Sequence, residues 1–147
     1  MDRSTAPIQV VFDSADPGVL AQFWAAVLSP RGYDIPGPPG DFADWPAFLA
    51  ANGVPEEHWN DASAIEADGQ PRIFFQKVPE PKAGKNRLHI DLLAGGGPSV
   101  PAETQRERIA VEVRRLEGLG AATVGEASGL GVHWCVMQDP EGNEFCV

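Results

Sequence analysis

The chain has 147 residues, 43% hydrophobic and 22% charged, an ordinary globular composition at a length that buries a core without disulfides. Its formal charge of −10 repels phosphate and excludes DNA or RNA as an expected partner. No apolar run approaches the roughly 20 residues that span a bilayer, and Met1-Asp2-Arg3-Ser4 lacks the pattern of a signal peptide, so no membrane partner and a cytoplasmic location are expected.

Ile8 to Asp13 reads as a strand, with Ile8, Val10 and Phe12 on one face and Gln9, Val11 and Asp13 on the other. Asp16-Pro17 announces a helix, Asp16 as N-cap and Pro17 at N1. Leu20, Phe23, Trp24, Val27 and Leu28 form its apolar stripe, and Pro30 and Gly32 end it. A Pro/Gly-rich loop covers 32–40. A short helix over Asp44 to Asn52 carries Phe48 and Leu49 and is closed by Gly53; Pro55 to Trp59 adds a turn. Ser63 to Ala67 and Arg72 to Val78 read as strands joined at Asp68-Gly69.

After Pro79-Glu80-Pro81, the run from Lys82 to Leu92 predicts a strand with His89 and Asp91 on one face and Leu88, Ile90 and Leu92 on the other. Gly95-Gly96-Gly97-Pro98 ends it. Pro101 to Gly118 is a third helix, buried along Ile109, Val113 and Leu116. Short strands follow at Ala122 to Val124, His133 to Gln138 and Glu144 to Val147, with a tight turn over Asp139 to Asn143 between the last two.

The order predicts an α+β fold in a single domain over 1–147. Two βαβββ modules, about 6–80 and 86–147, share a curved mixed sheet with helices outside and a central cleft. A helical insert at 33–62 obscures one strand of the first module, and an internal repeat of about 65–75 residues is implied. The insert's Pro/Gly hinge at 36–40 and its aromatics suggest a lid over the cleft.

His89 is either a hydrogen-bonded pocket or core histidine, or a polar anchor or general base in a ligand pocket, with Asp91 placed to orient it. Lys82, Lys85, Asn86 and Arg87 form a basic patch that either grips an anionic group at the cleft mouth or is a solvated loop fixed by its prolines. Trp45, Trp59 and Trp134 are aromatic pocket candidates, while Trp24 belongs to the helix stripe. His58 and His133 have no partner readable from sequence. Cys135 and Cys146 are expected to be reduced, Cys146 as a small buried hydrophobe rather than a nucleophile.

Asp16-Pro17 with Phe23-Trp24 and Val27-Leu28, then the closing Asp139-Pro140-Glu141-Gly142-Asn143-Glu144, resemble the vicinal oxygen chelate superfamily, the glyoxalase and bleomycin-resistance group. The middle segment, Phe75 to Lys82 and Lys85 to Asp91, is similar to a glyoxalase-like subgroup of largely unassigned activity. The resemblance spans nearly the whole chain. It implies a divalent metal held by four inward strand positions, which fall here on Gln9, Gln76, His89 and Cys146, with Asp91 or Glu144 as possible substitutes. It also implies a homodimer, and Asn86 and Arg87 locking the crossover between modules.

Cys146 departs from the superfamily's usual glutamate. Two neutral amides supply little charge for magnesium or manganese, and they complete a zinc shell poorly. The expected function is therefore small-molecule binding in the cleft without that metal site. The alternatives are a metal-dependent lyase, isomerase or dioxygenase, and a non-catalytic dimeric accessory protein.

Overall fold

The structure, a computed structural model, describes residues 7–147. The chain divides into two compact units, a first ending at Pro81 and a second, Lys82–Val147.

In the first unit the elements are β1 (Gln9–Ser14), α1 (Pro17–Leu28), α2 (Trp45–Ala51), β2 (Ala62–Ile65) and β3 (Arg72–Lys77). They form a sheet of order β1-β3-β2, with β1 parallel to β3 and β2 antiparallel to it. Period-two alternation divides the faces. Ile73 and Phe75 are buried with the α1 stripe of Leu20, Phe23, Trp24, Val27 and Leu28. The ring of Phe12 lies 5.6 Å from that of Trp24 and 5.4 Å from that of Phe75. Burying a side chain such as Phe75 completely stabilises the fold by about 1.5–3 kcal/mol. Gln9, Val11, Asp13, Arg72 and Gln76 occupy the opposite face and are exposed.

Helix α1 starts where its capping residue dictates. Asp16 Oδ1 accepts the Val19 N–H at 3.2 Å, and Asn60 Oδ1 accepts the Gly18 N–H at 2.8 Å. Asn60 Nδ2 donates back to Asp16 Oδ1 at 2.9 Å, so two orphan helix donors share one polar clasp. A Cβ on Gly18 would lie 2.8 Å from Asn60 Oδ1, so glycine is what lets Asn60 approach.

The second unit contains α3 (Ala102–Gly118), β4 (Ala122–Gly129), β5 (Val132–Gln138) and β6 (Glu144–Cys146), with sheet order β4-β5-β6. Ile90 to Leu92 continues this sheet beside β6: Cys146 N donates to Ile90 O and Leu92 N to Cys146 O, each at 2.9 Å. Asp91 is thereby bridged to Cys146 in a parallel sense. Cys135, Met137 and Phe145 are buried, as are Ile109 and Leu116 of α3. Val132, Trp134 and Val136 alternate to the other face.

The two units repeat one pattern. The β1-β3-β2 order matches the Ile90–Leu92 segment, β6 and β5. Where the second unit adds β4, the described residues of the first have only the antiparallel bridge Asp34–Glu66, made by two backbone hydrogen bonds of 3.0 and 2.9 Å. The insert leaves this vestige of a fourth strand.

Two expectations are corrected. The strand predicted across Leu88 to Leu92 pairs only from Ile90. β6 begins at Glu144 and offers Leu88 no partner, and Asn86 Nδ2 reaches Leu88 O at 3.3 Å, a local bond that competes with a ladder. Leu88 is consequently 70% exposed, while Leu92 is 4% exposed. The strand at Ala122 to Val124 runs on to Gly129. Gly125 and Gly129 have little strand preference, and the antiparallel register with β5 imposes extended backbone on them.

Candidate functional site

The sheet face that carries Trp134 and Val136 lines an apolar hollow of about 710 Å³ within the second unit. Val132, Trp134, Val136 and Val147 supply its apolar surface, and the rim includes Leu93 and the loop Gly95 to Pro98. Lys85, His89, Asp91, Glu144 and Cys146 gather its polar groups. A hollow of this size, mostly apolar with a few polar groups, is the usual form of a small-molecule site.

Backbone pairing positions the polar groups. Asp91 lies across from Cys146, and His89 is one same-face position earlier. His89 Nε2 is 3.3 Å from Asp91 Oδ1, so the two side chains expected on one face do meet. A ring nitrogen of His89, a carboxylate oxygen of Asp91 and the Cys146 sulfur all lie within 4.8 Å of one another. Burial pushes the Cys146 thiol above its ordinary pKa, and the neighbouring Asp91 carboxylate adds to this; Lys85 acts in the opposite direction. The thiol is therefore protonated at neutral pH, in agreement with its reading as a small hydrophobe.

Much of the basic patch serves to hold the chain. The Glu144 carboxylate accepts the Asn86 N–H at 3.2 Å and faces Lys82 Nζ at 3.3 Å. Hydrogen bonding by its own backbone amide holds the Glu144 carboxyl below its ordinary pKa, with Asn86 and Lys82 assisting. Lys85 lines the hollow. Arg87 is exposed and is not among the lining residues.

Other sequence candidates lie in the first unit. The parallel ladder sets Gln9 beside Arg72 and Gln76 beside Asp13. Gln9 and Gln76 are therefore four positions apart along adjacent strands, about 13 Å of strand rise, and are not side by side. Arg72 Nη1 donates to Gln9 Oε1 at 3.4 Å. Trp45 donates its indole N–H to Pro36 O at 2.8 Å and packs edge-on against Phe48, and Trp59 donates to Val54 O at 2.9 Å. Their polar atoms serve the insert. His58 faces Asp61 at 2.8 Å in an exposed pair.

The residue missed in the sequence is Gln105, only 1% exposed. Its Nε2 donates to Val100 O and Gly131 O, both at 2.8 Å, and its Oε1 accepts the His133 N–H at 3.0 Å. It ties α3 to both segments that border the hollow. The signal was present: Gln105 sits four residues before Ile109 and eleven before Leu116, inside the apolar stripe.

A metal on the four-residue set implied by resemblance fits poorly. Gln9 and Gln76 are uncharged, separated along the ladder, and Gln9 is engaged by Arg72. The donors that do cluster, His89, Asp91 and Cys146, belong to the second unit.

The sequence profile described as a glyoxalase-like domain matches residues 9–147. A search of curated proteins found no match. Among solved structures, hypothetical protein SA1046 from Staphylococcus aureus is similar at a TM-score of 0.58 and 17% identity, over 99% of this chain and 92% of that one. A glyoxalase/bleomycin resistance protein/dioxygenase family enzyme from Burkholderia phytofirmans gives 0.58 and 14%, over 94% and 93%. The fosfomycin resistance protein FosX from Listeria monocytogenes, solved with Mn(II) and a dihydroxypropylphosphonic acid, gives 0.59 and 10%, over 97% and 87%. At these identities the likeness is one of fold. Among the described residues, no helix is long and apolar enough to cross a membrane.

Proposed function

The chain belongs to the glyoxalase-like domain family, and from that premise we propose that it binds a small apolar molecule in the hollow of its second unit, without the four-ligand metal set that the resemblance implies. The observation that carries this reading is the hollow itself: apolar over most of its lining, and walled by the Trp134 indole. A ligand with a planar apolar body gains contact along Trp134, and an anionic group on it would be read by Lys85.

Backbone strain at the rim supports the same reading. Leu93, which lines the rim, has φ of 51° and is 75% exposed. A left-handed leucine costs of order 1–2 kcal/mol, and its exposure gives the folded chain no burial in return. An apolar ligand covering Leu93 would supply that burial.

A metal-dependent lyase, isomerase or dioxygenase on Gln9, Gln76, His89 and Cys146 is less well supported, given the separation of the two glutamines. A homodimer and a cytoplasmic location remain part of the proposal. Support for the first is the edge strand β4, exposed along its length; support for the second is that both cysteines are free.

The test is binding of an environment-sensitive apolar dye in EDTA, followed by its fluorescence and by competition with a panel of aromatic carboxylic acids. Saturable binding that Trp134→Ala weakens by about 10-fold or more, a change of roughly 1.4 kcal/mol, is expected. Equal affinity in the folded variant would overturn the assignment of the hollow.

A further inference from the structure

We propose that the insert at 33–62 presents a docking face for a basic, apolar segment of a partner protein. The proposal does not rest on the hollow, which lies in the other unit.

The face is aromatic, and the fold leaves it open. All seven residues of α2 are apolar, yet none is buried; a helix apolar all round normally lies in a core. Phe42 and Trp45 pack edge-on against Phe48, with ring centres 5.4 and 5.6 Å apart, and remain 40% and 38% exposed. The indole N–H groups of Trp45 and Trp59 are both spent on carbonyls inside the insert, Pro36 O and Val54 O. With those polar atoms satisfied, the ring surface left to solvent is apolar edge and π face. Scattered exposed aromatics need no explanation, but a cluster rimmed by polar groups is the form of an interaction surface.

Charge says what covers it. Asp34, Asp41, Asp44, Glu56, Glu57 and Asp61 are all exposed, and the insert holds no lysine or arginine. The gap in basic residues is wider than the insert. Residues 33–71 carry eight carboxylates and no lysine or arginine, while the rest of the chain carries 13 carboxylates and all 11 lysines and arginines. The negative charge of the protein is therefore concentrated on the stretch that also exposes the aromatic cluster.

Lysine and arginine match both features. Their cations are attracted to the faces of exposed rings, and the surrounding carboxylates steer and hold them. Apolar side chains between the cations would cover the ring edges. The same field rejects other occupants. Two copies meeting through this face would set six carboxylates against six, and nucleic acid and anionic lipid carry the sign that it repels.

The probe is a fluorescein-labelled peptide of about 12 residues built from Lys, Arg and Leu in an amphipathic pattern, titrated with the full chain and followed by anisotropy. Two control peptides replace its Lys and Arg by Glu, or its Leu by Ser. Saturable binding is expected of the basic apolar peptide and not of either control. Trp45→Ala should weaken it by about 10-fold. Asp41→Asn, Glu56→Gln and Glu57→Gln together should weaken it by about 5-fold in about 0.05 M salt and by less in about 0.5 M, where screening removes most of the attraction. Asp44 is left in place because it caps α2. Circular dichroism should show both variants folded, and their dye affinity in the hollow should be unchanged. No saturable binding to the wild type, equal affinity in the two folded variants, or equal affinity for either control peptide would overturn the proposal. So would binding to phosphatidylglycerol vesicles, or dimerisation that Trp45→Ala abolishes, which would give the face to a lipid surface or to a second copy. Unchanged peptide binding with a loss of dye affinity in Trp45→Ala would overturn it in favour of a lid.

Discussion

The side-chain oxygen of Gln105 accepts the backbone N–H of His133 at 3.0 Å, from a position in α3 that is only 1% exposed. The same amide donates to Gly131 O and Val100 O, so one helix residue satisfies three backbone groups on two segments beside the hollow. Gln105→Leu keeps the volume and removes all three bonds. Buried groups left unpaired cost about 1–3 kcal/mol each where water cannot reach them. Urea unfolding of Gln105→Leu should show a loss of about 2–3 kcal/mol. Dye affinity should fall as well, because both bordering segments lose their tether. Unchanged stability would mean that water replaces the amide without cost.

Leu93 sets folding against binding. Leu93→Gly relieves a positive φ that glycine accepts freely, offset by the entropy glycine loses on folding. The balance should be a gain of about 0.5–1 kcal/mol, read as a higher thermal midpoint. If the exposed leucine is kept for contact with a bound apolar molecule, the same variant should bind the dye more weakly. A variant that is both more stable and equally good at binding would show that Leu93 is not part of the site.

Long periodic segments made most of the fold legible. Helix α1 was readable from Asp16-Pro17 and its apolar stripe, and the bond from Val19 to Asp16 is the predicted cap. The βα order and the turn Asp139 to Asn143 exposed the repeated module. What escaped was set by partners distant in sequence. Nothing local in Leu88 says that β6 is too short to pair with it. Nothing local in Gly125 to Gly129 says that β5 imposes a strand there.

The site divides in the same way. His89, Asp91, Trp134 and Cys146 were legible as residue types and share the hollow, and so does Lys85. Register across a parallel ladder is not encoded in either strand alone, so the separation of Gln9 from Gln76 could not be read. Neither could the bridge that sets Asp91 opposite Cys146.

Acid stability should depend on Asp16. Its carboxyl is held below its ordinary pKa, first by the hydrogen bond from Asn60 and then by the Val19 amide. A carboxylate depressed in the folded state stabilises it fully above the unfolded pKa of about 3.9, and that contribution is lost as pH falls through the folded value. Asp16→Ala should cost about 1 kcal/mol at pH 7. The gap from wild type should narrow as pH drops below about 4. A gap that is constant from pH 7 to pH 3 would show that the cap works as a neutral acceptor, without its charge.

The two cysteines should behave as unreactive, unpaired thiols. Cys135 shares a sheet face with Met137, and Cys146 lies across from Val136 on the other face, so the sheet itself keeps them from forming a disulfide. Burial raises both thiols, Cys146 further through Asp91, and Cys135 through Glu126 and Glu117. In metal-free buffer at pH 7.5, iodoacetamide should modify Cys146 more slowly than a free thiol and Cys135 only on unfolding, as resolved by peptide mass spectrometry. Asp91→Asn removes a negative neighbour, lowers the Cys146 pKa and should speed its alkylation. Faster alkylation of wild-type Cys146 than of a free thiol would contradict the raised thiol and point to activation by Lys85, the cation that acts against Asp91.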